Sequence, residues 1–170
     1  MLTERVQVGI EVERRATRSR WQDHLWRASA LVQVAADLPD WAVTAEGAGS
    51  TRFYAGAVEI TLHASDTQVY KDNLESPTPA VYVVLRPAAT PSGWQLYLVT
   101  VDPSEAHAHA DVGGDLVEAL PMPPGVATWL AAFVGRHHAG RRQWKRKRDR
   151  ADPNVLAARP AVLPMGDDDE

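Results

Sequence analysis

Val6, Val8, Ile10 and Val12 alternate with Gln7, Gly9, Glu11 and Glu13. A period of two marks a strand with one buried face, so the chain opens on a half-buried strand. Residues 14–20 read as a polar, basic connection and residues 30–36 as a second strand. Leu38-Pro39-Asp40 is a turn signal. Residues 41–45 make a short strand before the glycine-containing turn at 46–50.

Residues 52–62 form a clear strand with Val58, Ile60 and Leu62 on one face. Val69, Tyr70 and Leu74 suit a short helix over 66–74. Ser65 or Asp66 is placed to cap it, and Pro77 and Pro79 stop it. The run Val81-Tyr-Val-Val-Leu85 is apolar throughout, the signature of a central strand. A loop at 87–93 and a strand at 94–101 complete an antiparallel pair. Asp102-Pro103 opens a second short helix expected to end near Gly113-Gly114, and residues 116–120 form the last strand.

Pro123-Pro124 then begins the best helix in the chain. Val126, Trp129, Leu130, Phe133, Val134 and His137 lie on one stripe, and Gly140 is a natural terminator. The pattern therefore predicts an α+β fold. Its sheet is mainly antiparallel, strongly bent or closed into a partial barrel, and capped by the C-terminal amphipathic helix.

Beyond Gly140 the periodicity stops. The 170 residues divide into one domain, 1–140, and a polar tail, 141–170, expected to be largely disordered because it has too little apolar surface to offset its ordering entropy. Charge follows the same division. Residues 141–150 hold seven basic residues and one acid, net +6; residues 151–170 are net −4, and residues 1–140 are net −6.

Six tryptophans stand in a 45% hydrophobic chain without cysteine. Disulfides, thiol nucleophiles and cysteine-ligated metals are thereby excluded. A charged N-terminus and the lack of a long apolar run lead us to expect a soluble, cytoplasmic protein.

Candidate chemistry is sparse. Trp21-Gln-Asp-His-Leu-Trp-Arg27 is the densest polar and aromatic cluster. Two readings are open: a pocket built from Trp21, His24, Trp26, Arg27 and Tyr54, or a structural motif with Trp21 or Trp26 in the core and Arg27 at its rim. The structural reading is favoured. Asp23 and His24 are adjacent, and adjacent strand residues face opposite ways, so they do not form an acid–base pair.

His107, His109 and Asp111 offer at most two ligands on one helical face, where zinc wants three or four. His137 and His138 suit a helix C-terminus. Neither a phosphate loop nor a nucleophile elbow is present. We therefore expect no catalytic residue, no metal and no cofactor. The remaining candidates are Arg141, Arg142, Trp144, Lys145, Arg146, Lys147, Arg148 and Arg150. This basic arm is suited to an acidic protein surface and, less well in an acidic chain, to nucleic acid.

Several blocks carry a family likeness: Val8-Gly-Ile-Glu-Val-Glu-Arg-Arg15, Trp21-Gln-Asp-His-Leu-Trp-Arg27, Thr51-Arg-Phe-Tyr-Ala-Gly56, Tyr70-Lys-Asp-Asn-Leu-Glu-Ser76, Val81-Tyr-Val-Val-Leu-Arg86, Pro121-Met-Pro-Pro124 and Lys145-Arg-Lys-Arg-Asp-Arg150. From about residue 6 to 153 the chain resembles a proteobacterial family, domain of unknown function 3305. The resemblance implies no activity and no catalytic residue. It does imply proteins encoded beside molybdenum-dependent formate dehydrogenases and their maturation proteins. The expectation that follows is a non-enzymatic accessory protein whose partner is a redox enzyme or its maturation machinery. A nucleic-acid-binding regulator and a small-molecule-binding domain with a Trp-lined pocket are the alternatives.

Overall fold

A long first strand, β1 (Thr3–Ala16), is central to the architecture. It pairs antiparallel with β2 (His24–Val32) on one side and β4 (Ser50–His63) on the other. Outside β4 lies β3 (Ala42–Gly47), giving a four-stranded sheet in the order β2-β1-β4-β3. The structure is a computed structural model that describes residues 2–139. The tail at 141–170, with the basic arm from Arg141 to Arg150, lies outside the described residues.

The alternation in β1 works as expected: Val8, Ile10 and Val12 are buried in the core. Two bulges, at Ile10/Glu11 and Glu11/Val12, adjust its register against β4 and β2. The β3–β4 connection is a two-residue turn in which Ala48 (φ 50°) and Gly49 (φ 76°) are both left-handed, the conformation that tight hairpins select.

The second sheet contains β5 (Ala80–Pro87), β6 (Trp94–Thr100) and β7 (Leu116–Pro121), in the order β6-β5-β7, all antiparallel. As the apolar run predicts, β5 is central, with Val81, Val83, Val84 and Leu85 fully buried. Between the sheets' sequences comes α1 (Thr67–Glu75), and α2 (Pro103–His107) follows β6. The last helix, α3 (Pro124–His137), packs beside α1, with Leu130 and Phe133 fully buried. Asn73 of α1 ties the layers together. Its amide donates to the carbonyls of Ala80 and Val101, each at 2.8 Å, and accepts from the Ala80 N–H.

Several expectations need correction. The fold is α+β and antiparallel, but there are two sheets rather than one bent sheet. The sheets approach where β4 meets β6 and where β2 meets β7, without ladder pairing, so no barrel closes. The second strand is His24–Val32, not 30–36, and β1 runs to Ala16 through residues expected in a loop. Both shifts arise because polar residues of the hairpin pair with one another across strands. The second helix stops at His107 and continues as successive turns, in which His109 N–H donates to Ala106 O and Ala110 N–H to His107 O. Trp129 is only half-buried; its indole N–H donates to Glu4 at 3.1 Å.

Candidate functional site

Among the described residues, the β1–β2 hairpin is where cations concentrate. Residues 13–27 hold five arginines against Glu13 and Asp23, a net of +3, whereas the other described residues hold five cations and fourteen carboxylates, a net of −9.

Glu13 organises this end. Residues of its type rarely lie buried unless paired, and its side chain is only 5% exposed. Ser50 donates to Oε1 at 2.7 Å, Arg15 donates to the same oxygen at 3.1 Å, and Arg27 Nε donates to Oε2 at 2.8 Å. One carboxylate thus joins β1, β2 and β4. The Ser50 hydroxyl and the Arg15 guanidinium, aided by Arg27, hold its pKa down at about 2 against the opposing effect of burial.

On the opposite face of the hairpin, Trp26 stacks on Phe53 with centroids 5.5 Å apart and planes at 29°. Trp41 meets both rings edge-on, at 6.2 and 6.3 Å. Arg14 covers this cluster, its guanidinium carbon 5.7 Å from the Trp26 centroid and 5.3 Å from that of Phe53. Such cation–π contacts are worth about 0.5–1 kcal/mol at exposed sites.

The loop at 17–23 is ordered by its own side chains. Thr17 Oγ1 donates to Gln22 O at 2.7 Å and accepts from Ser19 N–H, and Ser19 Oγ accepts from Trp21 N–H. Thr17 N–H donates to Asp23 O, and Ala16 N–H reaches across to Gly49 O of the neighbouring hairpin. The result displays Trp21 at 95% exposure between Arg20 and Gln22. A tryptophan held in water on an ordered loop is the type of residue that anchors protein interfaces.

The five residues offered as a pocket do not enclose one. Trp21 stands in solvent and His24 is exposed. Trp26 faces the aromatic cluster, while its neighbour Arg27 faces Glu13 on the other side of the sheet. Tyr54 is buried, its hydroxyl accepting from Ala35 N–H. Of the two tryptophans proposed for the core, only Trp26 packs against it. Asp23 and His24 lie at the exposed start of β2.

A second polar cluster escaped sequence reading because its members are 29 residues apart. Arg86 forms a forked pair with Asp115, at 2.8 Å from Nη2 and 3.0 Å from Nε, and lies 3.5 Å over the Tyr97 ring. His109 Nδ1 comes within 3.5 Å of the same carboxylate. The Arg86 hydrogen bonds hold Asp115 below its usual range. His109 thus serves this ion pair, His107 packs edge-on to Tyr82, and Asp111 is exposed. At the helix end, His137 packs on Phe133 and His138 Nδ1 contacts the Thr67 hydroxyl at 3.2 Å.

Among the described residues no three histidine or carboxylate side chains converge as metal ligands, and no helix is long and apolar enough to cross a membrane. Fold and site together define an α+β protein of two antiparallel sheets that presents a basic, aromatic hairpin at one end. Residues 7–148 match the model of the family described as Protein of unknown function (DUF3305), and the chain belongs to that family. No curated protein and no solved structure matches it.

Proposed function

We propose that this protein is a non-enzymatic accessory module that docks on an acidic protein surface through the β1–β2 hairpin. The carrying observation is the 95% exposed Trp21, flanked by the exposed Arg18 and Arg20, on a loop braced by its own hydrogen bonds. An aromatic anchor supplies affinity, and the surrounding cations supply orientation and on-rate. Ordering of the loop before binding reduces the entropy lost on association.

The partner we favour is a cytoplasmic, molybdenum-dependent formate dehydrogenase or its maturation machinery, with the protein assisting assembly or regulation. Support for that partner comes from the blocks shared with the family and from the genomic setting that the resemblance implies. The test is quantitative co-purification of formate dehydrogenase subunits from the native host with the wild-type chain, with Trp21→Ala and with Arg18→Glu/Arg20→Glu. Both variants should retain the wild-type melting temperature and lose most of the capture. Equal recovery with all three chains would remove the hairpin from the interface. Failure of the wild-type chain to recover the enzyme would remove that partner. Binding of duplex DNA with a steep salt slope at physiological ionic strength would favour the nucleic-acid reading.

A further inference from the structure

A cleft of about 620 Å³ opens where the outer edge of β4 changes neighbour. Up to Tyr54 that edge pairs with β3; beyond it, β4 runs beside β6 without a ladder. Ala55, Gly56 and Ala57 form the floor, Asp40 and Trp41 one wall, and the Thr90–Gln95 turn with Leu96 the other. The volume falls within the roughly 300–1,000 Å³ usual for small-molecule sites.

Two backbone features aim this cleft. Trp41 is the third residue of a turn closed by Ala42 N–H donating to Pro39 O, and it has φ 65°. Glycine or asparagine ordinarily fills that position, and a bulky side chain there is an outlier. The conformation is held by the Trp41 N–H donating to Tyr54 O at 2.6 Å and by the ring's contacts with Trp26 and Phe53. Gly56 has φ 135°, and a Cβ there would sit 2.8 Å from Asp40 Oδ1. The positive φ favours glycine at this position, and its bare Cα leaves the Asp40 carboxylate close to the strand. Glu13 and Asp115 are consumed by arginines, whereas among the described residues no hydrogen bond or ion pair engages Asp40.

We infer that this cleft binds a small organic cation, its ammonium group paired with Asp40 and its carbon body lying against Trp41 and Leu96. Three conditions favour a cation. Among the described residues, the cleft offers a carboxylate without a partner, an indole able to attract positive charge, and a strand edge with main-chain groups that no neighbouring strand claims. Outside the hairpin the described residues carry a net charge of −9, which raises the local concentration of cations.

The probe is phenethylammonium, with phenylpropionate as its anionic counterpart. Each is titrated into the full-length chain while the Trp41 indole N–H resonance, assigned with Trp41→Phe, is followed. The ammonium should shift that resonance saturably and the carboxylate should not. Asp40→Asn should weaken binding roughly two- to fivefold, the effect expected of one exposed charge pair. Ala57→Phe, which fills the floor without touching Asp40, should abolish it, with both folds confirmed by their two-dimensional spectra. Trp21→Ala should bind as wild type, separating this site from the hairpin. No saturable shift into the millimolar range, equal binding of the two probes, or an unchanged affinity in Asp40→Asn would overturn the assignment.

Discussion

Glu13 shows how one residue's environment can reverse its expected place. Alternation puts it on the polar side of β1, yet it is buried and serves as the anchor of three strands. Its pKa of about 2, against an ordinary 4.5, means that the unfolded chain takes up the proton first as acid is added. Its contribution is therefore fully present above pH 4.5 and is lost as pH falls towards 2. Glu13→Gln should lower stability at neutral pH by about 1–3 kcal/mol, because three charge-assisted or hydroxyl hydrogen bonds weaken. It should also flatten the fall of melting temperature between pH 4.5 and 2, measured by calorimetry. A variant with the wild-type slope would show that Glu13 does not titrate as described.

Among the elements, α3 comes closest to its sequence pattern. Leu130 and Phe133 are 0% exposed, while Trp129 on the same predicted stripe is half-buried and bonded to Glu4. The apolar stripe is wider than the groove that receives it, so its edge emerges beside β1. Phe133→Ala should cost about 3–5 kcal/mol. Trp129→Ala should cost about 1–3 kcal/mol, the range of an ordinary destabilising substitution. Thermal unfolding of the two variants gives the order directly; a Trp129→Ala loss equal to that of Phe133→Ala would contradict the packing. The β1–β2 hairpin follows its pattern least well. Its polar residues satisfy one another, Arg27 with Glu13 and Ser29 with Glu11, and residues that looked like a loop extend both strands.

At the scale of the whole described body, charge is segregated: +3 on one hairpin, −9 elsewhere. A surface so divided orients an approaching partner before contact. The Debye length shrinks from about 10 Å at 0.1 M salt to about 3 Å at 1 M. Capture through the hairpin should accordingly slow as salt rises, with the dissociation rate much less affected. Surface plasmon resonance on the purified partner resolves the two rates. A salt-independent association rate would place the interface on another face. Trp21→Ala should act mainly on dissociation, since the anchor is engaged only after encounter.

Local rules were enough for the strands with strict alternation or continuous apolar runs, for the closing helix and for the antiparallel, α+β class. These depend on neighbours in sequence: the side-chain period, the prolines that start α3 and stop α1, the Asp102 cap of α2. Division into two sheets depends instead on which strand edges meet, a choice settled by packing between distant segments. The sites were less legible for the same reason. Trp21 and Trp26 stand five residues apart, yet one is displayed in water and the other is stacked on Phe53. Glu13 meets Ser50, Arg86 meets Asp115, and Asp40 meets Gly56 only once the chain has folded. Composition located the cations and aromatics; tertiary structure decided which are consumed in holding the fold and which remain available to a partner, because burial and pairing are properties of the assembled surface.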